Sequence, residues 1–411
     1  MTVLDVTTAL TGLRHTSPQQ VVQALTDAGA PLVRDIVLYL VDYEQEILQP
    51  YIDGSSTTVL VEEPIAATLA GRAFTTGAPV VADRDDGPRV WVPVFEHSVR
   101  TGVLAMTVDI PSPEVLVHCS SLGMLAGLLV ASASRYTDLV HVRKRGRSMT
   151  LAASMQWDML PPLTMRADRV VVAGMLEPAY EVAGDGFDHS INGDRVDVAL
   201  FDGMGHGIGS TLLTTLAMGT YRHQRRENKD LAAIHEAVES AVSQQFGGDA
   251  FVTGVLGRLN ATSGRFEMTN AGHPAPLLLR NRQVVGEITC EPSTPFGLGG
   301  RCEEVATCPL EPGDSVVLYT DGVVEGRGAD GSEFGLPRLV DFLEREASSA
   351  RLAEEALRRL VRAVLEHQQG TLRDDATMVL VHWDGPPPDT IPHQLQITTE
   401  PAPGQLGSSS T

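Results

Sequence analysis

Apolar residues recur along the chain at two different periods. Ser17-Pro18 followed by Val21, Val22 and Leu25 has the spacing of a capped amphipathic helix over 17–29. Residues 35–41 alternate as a strand, a polar turn at 42–45 follows, and 47–51 returns. A helical piece over 64–76 precedes strands at 79–82, 90–94 and 102–108. From Pro113 to Leu160 the period is helical. Val115, Leu122, Leu125, Leu129, Tyr136, Leu139 and Val140 mark an apolar face, and Pro161-Pro162 cannot continue it. This pattern predicts a sheet domain over 1–112 and a helical linker over 113–162.

The second half has strand patterns at 169–176, 195–201, 250–258, 265–269, 276–280, 315–320 and 376–382. Helical patterns cover 208–224, 230–246, 335–347 and 352–368. Strands and helices come in separate runs, which predicts antiparallel sheets flanked by helices, an α+β domain over 163–384. Residues 385–411 are rich in Pro, Gly, Ser and Thr and read as a disordered tail.

Composition changes this picture in three places. A chain of 411 residues with 43% apolar and 20% charged residues is long enough for two folded domains. Its net charge of −21 makes nucleic acid and anionic membrane poor partners. The basic run 141–147 therefore reads as a solvated helix face or a hinge near Gly146. Four cysteines without CxxC spacing argue against zinc. The first six residues lack the marks of a signal peptide, and the apolar run 122–131 is too short to cross a bilayer, so a cytoplasmic location is expected.

The candidate chemistry lies in acidic residues at element ends. Phe201-Asp202-Gly203-Met204-Gly205-His206-Gly207 reads as a strand tip breaking into a glycine-rich loop that opens a helix. Asp185 lies between two strand patterns, in Gly184-Asp185-Gly186-Phe187-Asp188. Asp321 follows a strand and precedes Gly322, and Asp374-Asp375 stands just before the last strand. Each alone reads as a turn or a cap. Four such sites in one domain suggest an oxygen-rich place for Mg²⁺ or Mn²⁺.

Residues 168–384 closely resemble the SpoIIE-type branch of the metal-dependent (PPM) serine/threonine phosphatases. The matching stretches are 183–188, 202–207, Asn270-Ala271-Gly272-His273-Pro274, 295–298, 310–325 and Asp374-Asp375-Ala376-Thr377, with Met155-Gln156 and Leu160-Pro161-Pro162 ahead of them. The resemblance implies an αββα fold, a two-sheet β-sandwich with helices on both outer faces, and two Mn²⁺ or Mg²⁺ ions at one end. It implies Asp185, Asp202, Asp321 and Asp374 as metal ligands. Gly203 would offer its carbonyl, Asp202 would bridge, and Asp375 would stand behind them. The chain departs from the pattern at Ala183, where the family usually has glycine. It departs again at Met204, where relatives outside this branch carry a histidine, which leaves His206 as an open candidate for a general acid.

In the first half, Gly71-Arg72-Ala73-Phe74, 77–81, 91–94 and 102–106 resemble a GAF-type sensory domain in order and spacing. The ligand of such a domain is not legible. The whole then reads as a sensor-controlled protein phosphatase. Its implied substrate is a phosphorylated regulatory protein of the anti-sigma-factor antagonist kind, and a homodimer contact through the linker helix is possible. The alternatives are a catalytically weak phosphoprotein-binding regulator of the same fold and a hydrolase of small phosphoesters.

Overall fold

The computed structural model describes residues 17–51, 61–178, 180, 184–291, 293–348, 353–369, 372 and 374–386. The expectations for the amino terminus, for Ala183 and for a disordered tail from 387 onward concern residues outside this set. In chain order the first half contains α1 (Val21–Gly29), β1 (Val33–Val41), β2 (Ile47–Pro50), β3 (Glu63–Pro64), α2 (Leu69–Thr76), β4 (Val80–Ala82), β5 (Arg89–Glu96) and β6 (Val99–Val108). Three helices follow: α3 (Pro113–Ala133), α4 (Leu139–Lys144) and α5 (Leu151–Met159).

These strands form one antiparallel sheet of order β3-β2-β1-β6-β5-β4. Both faces are covered, because side chains alternate across each strand. Leu38, Leu40, Val92, Leu104 and Met106 pack beneath α1 and α3, while Tyr39, Val41, Trp91, Val103 and Ala105 pack beneath α2. The helix expected over 64–76 starts only at Leu69, where Thr68 Oγ1 caps Gly71 N at 3.0 Å, and Glu63–Pro64 is a short edge strand.

The structure divides the expected linker differently. Helix α3 belongs to the sheet domain: Cys119, Leu122, Ala126 and Val130 lie in its core, with Leu125 and Leu129 packed against them. A Cβ on Gly127 would stand 1.9 Å from the carbonyl oxygen of Phe95, so glycine is what lets α3 lie flat on β5. By length and composition α3 is long enough to cross a membrane, a property the shorter run 122–131 did not reveal, yet its inward face fills this core. Val117, Met124 and Leu128 point outward instead.

The second half contains β7 (Thr164–Ala167), β8 (Val170–Glu177), β9 (Asp185–Asn192), β10 (Arg195–Gly203), α6 (Ile208–Arg226), α7 (Leu231–Phe246), β11 (Val252–Asn260), β12 (Arg265–Ala271), β13 (Leu277–Arg280) and β14 (Gln283–Glu287). It ends with β15 (Ala306–Pro309), β16 (Ser315–Tyr319), α8 (Asp321–Val324), α9 (Gly335–Ser348), α10 (Ala353–His367) and β17 (Ala376–Trp383). Two antiparallel sheets, β15-β12-β11-β10-β9 and β14-β13-β16-β17-β8-β7, face each other. Their shared core is built from Val172, Leu176, Phe187, Val198, Leu200, Val255, Phe266, Val316, Leu318, Val379 and Val381. The outer face of the first sheet carries α6 and α7 over Ala199, Phe201 and Leu256. The outer face of the second carries α9 and α10 over Met175, Val317, Met378 and Leu380. The domain is the expected αββα sandwich.

Strand β9 corrects the expectation that Asp185 sits in a loop. Its sequence lacks an alternating apolar pattern because its inward polar residues have partners of their own. Asp188 is held by Arg222 and Arg225 at 2.8 and 2.6 Å, and His189 Nε2 lies 2.7 Å from the carbonyl of Pro162. Strand pairing with β10 over eight positions overrides weak local propensity.

Candidate metal centre

Antiparallel pairing decides where the acidic residues meet. The carboxyl end of one strand lies beside the amino end of its neighbour, and the chain uses this twice. In the first sheet Asp202, near the end of β10, is in register with Asp185 at the start of β9. In the second, Tyr319 at the end of β16 pairs with Met378 near the start of β17, which places Asp321 beside Asp374 and Asp375. Thr320 N donates to the Thr377 carbonyl and Thr377 N donates to Thr320 Oγ1, each at 3.0 Å, which fastens this second corner.

The two corners are tied to each other. Asp375 Oδ2 accepts from Gly184 N at 2.6 Å and Asp185 N at 3.0 Å, so the β17 corner holds the start of β9 by its backbone. Thr320 Oγ1 donates to Asp185 Oδ2 at 2.9 Å. Helix α5 supplies the third support: buried Gln156 donates through Nε2 to the Asp185 carbonyl at 2.8 Å and to Asp375 Oδ2 at 3.3 Å. The close approach of α8 to this corner depends on Gly322, where a Cβ would stand 1.9 Å from the Asp375 carbonyl oxygen.

Depth separates the carboxylates into two tiers. Asp185 and Asp375 are buried, Asp202 and Asp321 are half-buried, and Asp374 is exposed. Burial, with Asp375 and Asp202 close by, pushes the Asp185 carboxyl well above the usual carboxylate range. Asp202 rises to about 7, through burial first and then the charges of Asp321 and Asp374. Asp375 rises to about 6 by burial, against the pull of its backbone donors. Asp374 is also raised although much of its surface is exposed, because the protein beside it takes water from the carboxyl and Asp321 stands nearby. Among the described residues no Lys or Arg forms an ion pair with any of the five.

Such a donor set fits a hard divalent cation. Carboxylate oxygens that resist ionisation together are stabilised when a cation enters between them, and Mg²⁺ and Mn²⁺ take oxygen ligands. Asp375 Oδ1 is buried with no hydrogen-bond partner, an acceptor left available at the base of the group. Among the described residues no three His, Cys, Asp or Glu side chains have the spacing of a ready-formed metal cluster, as expected of like charges that repel one another. The Gly203 carbonyl, expected to face an ion, accepts from Ser210 Oγ at 2.7 Å.

The histidines part company. His206 is exposed in the loop after Asp202, close enough to Asp374 to act on its charge. His273 is buried, with Nδ1 2.8 Å from Thr253 Oγ1 and Nε2 3.1 Å from the Tyr319 carbonyl, and burial lowers its pKa to about 4. Its loop is closed by Asn270, which bonds both backbone atoms of His273 at 2.8 Å. His273 therefore clips the two sheets together beside the site. The sequence reading gives Gln156 only as part of the stretch ahead of the motifs, with no place in the site. Its one signal is an amide among small apolar neighbours, Ala152 and Ala153, on a helix face.

Residues 192–384 match the family model described as Stage II sporulation protein E (SpoIIE). The chain is 21% identical over 276 residues to the phosphoserine phosphatase RsbU of Bacillus subtilis, covering 66% of this chain and 80% of that protein. It is 23% identical over 185 residues to the phosphoserine phosphatase RsbP of the same organism, covering 44% and 45%. The crystal structure of the RsbU and RsbW domains of a Mycobacterium tuberculosis protein is 26% identical, with a TM-score of 0.46, over 54% of this chain and 63% of that one. The carboxy-terminal domain that holds the carboxylate group is a SpoIIE-type serine/threonine phosphatase domain.

Proposed function

We propose that the chain is a metal-dependent protein phosphatase that hydrolyses phosphoserine or phosphothreonine on a regulatory protein. The observation that carries this reading is the convergence of Asp185, Asp202, Asp321 and Asp374, from both sheets, at one end of the sandwich. Asp185 and Asp202 would hold one ion, with the Gly203 carbonyl beside them, Asp321 and Asp374 a second, and Asp202 would face both. When bound, the two ions supply an activated water and neutralise the phosphoryl oxygens. The protein's own part is positional. Thr320, Gln156 and the backbone of Gly184 and Asp185 fix the buried carboxylates. The exposed loop 204–207 leaves the face above Asp202 open to a phosphorylated segment.

The amino-terminal domain, a sheet covered on both faces, we assign as a GAF-like sensor whose ligand stays unidentified. Residues 134–162 form the connection between the two domains. The relatives named as phosphoserine phosphatases support the substrate class, and an anti-sigma-factor antagonist is the kind of partner proposed. The enzyme would act in the cytoplasm, with Mn²⁺ or Mg²⁺.

The test is turnover of a serine-phosphorylated protein by the full chain with Mn²⁺, with chelator, and with Asp202→Ala. Activity should require metal, and Asp202→Ala should lower it beyond the roughly 10–100-fold typical of losing an outer partner. Full activity in chelator, or faster cleavage of phosphotyrosine than of phosphoserine, would overturn the reading.

A further inference from the structure

The basic run 141–147 borders a cavity of about 220 Å³ where the two domains meet. The sheet domain gives one wall, the connecting helices a second, and residues 161–164 with Gly174 of the catalytic sandwich a third. Val130, Val140, Trp157 and Leu163 make much of the lining apolar. Charged groups also face it, and some of them are already occupied. Asp42 Oδ1 accepts from Glu46 N at 2.8 Å and Ile47 N at 3.1 Å. Arg100 lies 3.9 Å from Glu355, and His141 Nδ1 lies 3.2 Å from the Tyr43 hydroxyl.

Lys144 and Glu96 are different. Lys144 is the last residue of α4, and its carbonyl accepts from Tyr43 N at 3.1 Å, which fixes where its side chain starts. Glu96 is the last residue of β5. Among the described residues neither the Lys144 ammonium nor the Glu96 carboxylate forms an ion pair. The two charges act on one another across the cavity without pairing directly. Burial lowers the pKa of the Lys144 ammonium, with the Glu96 charge opposing.

We propose that this cavity binds a small zwitterion, an α-amino acid with an apolar side chain. Its carboxylate would meet Lys144, its ammonium Glu96, and its side chain the apolar wall. The physical basis is the balance of charge. Withdrawing an ammonium and a carboxylate from water without direct partners is costly, and one guest bearing both signs answers both groups. The contacts formed are charge-assisted hydrogen bonds, stronger than neutral ones. A monoanion would meet Glu96 as a like charge, and a monocation would meet Lys144 so. The volume is below the roughly 300–1,000 Å³ of pockets for drug-sized ligands, which suits a guest as small as an amino acid.

The lining comes from both domains, so the experiment uses the full chain. Each protein amino acid is added in turn to millimolar concentration, and binding is measured by calorimetry. At least one with an apolar side chain should bind saturably and raise the thermal midpoint. Its deaminated and decarboxylated counterparts should each bind about tenfold more weakly or worse. Lys144→Met and Glu96→Gln, which keep side-chain length, should weaken the amino acid to a similar degree. Without ligand, both variants should melt at or above the parent, since each removes a charge that no side chain answers. If either variant does not fold, the counterpart molecules carry the same readout on the parent chain. None of these measurements depends on phosphatase activity. Binding of no amino acid, equal binding of the deaminated counterpart, or unchanged affinity in both folded variants would overturn the proposal. A lowered midpoint in both variants without amino-acid binding would do so too, and would leave Lys144 and Glu96 as a structural pair bridged by water.

Discussion

At the scale of residues, Asp185 and Asp202 lie in register on neighbouring strands, with Asp375 beneath them. These three carboxyl groups, and Asp374 with them, have raised pKa, which has a consequence for stability. In the unfolded chain each ionises near the ordinary value of 3.8, whereas in the fold Asp202 holds its proton to about 7 and Asp375 to about 6. The folded state therefore binds more protons between these limits, and stability is present at low pH and lost as pH rises through the folded values. In chelator, the thermal midpoint should fall between about pH 5 and about pH 7.5, and Mn²⁺ at the upper pH should restore it. A midpoint in chelator that rises over this interval would show that the fold does not hold these carboxyl groups protonated. Asp202, Asp321 and Asp374 were legible because each ends or precedes a strand pattern next to glycine or another Asp. The service of Asp375 to the backbone was not, since an adjacent Asp pair reads identically whichever member is buried.

At the scale of elements, the division of the 113–162 stretch turned on packing. An apolar helical face is the same whether it meets a second helix, a lipid or a sheet. Only tertiary contact placed Leu122, Leu125 and Leu129 against the amino-terminal sheet. Polar substitution at Leu125 or Leu129 therefore probes the core of that domain, and a dimer contact through α3 would have to use Val117, Met124 and Leu128. Gly127 tests the packing directly. Gly127→Ala places a Cβ 1.9 Å from the Phe95 carbonyl, backbone that cannot rotate away. It should destabilise the domain by about 1–3 kcal/mol in denaturant unfolding, although alanine is the better helix former. An unchanged or raised midpoint would mean that α3 does not rest on β5.

At the scale of the molecule, the two domains share a buried charge cluster. Arg100 of β6 lies 3.9 Å from Glu355 of α10, whose carboxylate also receives Arg358 at 2.9 and 3.0 Å. Their side chains are 2%, 9% and 7% exposed, and Arg358 also reaches the Gln45 carbonyl at 3.4 Å. Glu355→Ala would leave two guanidinium groups facing each other without the shared anion. A loss of roughly 3–5 kcal/mol follows, against less than about 1 kcal/mol for removing the exposed Arg34–Asp109 pair. Thermal unfolding of the two variants beside the parent decides this, and equal midpoints would remove the cluster from the interface. The basic run 141–147 takes part in the same joint. Arg147 pairs with Glu44 at 3.0 Å and lies over the Tyr180 ring, and Gly146 N bonds the Tyr180 hydroxyl at 2.9 Å.

The sequence by itself determined the order of the elements, the α+β class, the phosphatase resemblance and the acidic positions, because these depend on period, turn chemistry and motif, all local along the chain. It did not place Asp185 on a strand, seat α3 in the first core, join Gln156 to Asp375 across 219 positions or bring Arg100 to Glu355. Those contacts depend on strand register and helix docking. There the side chains that meet are far apart in sequence, and the pairing energy of a whole sheet outweighs the preference of any one segment.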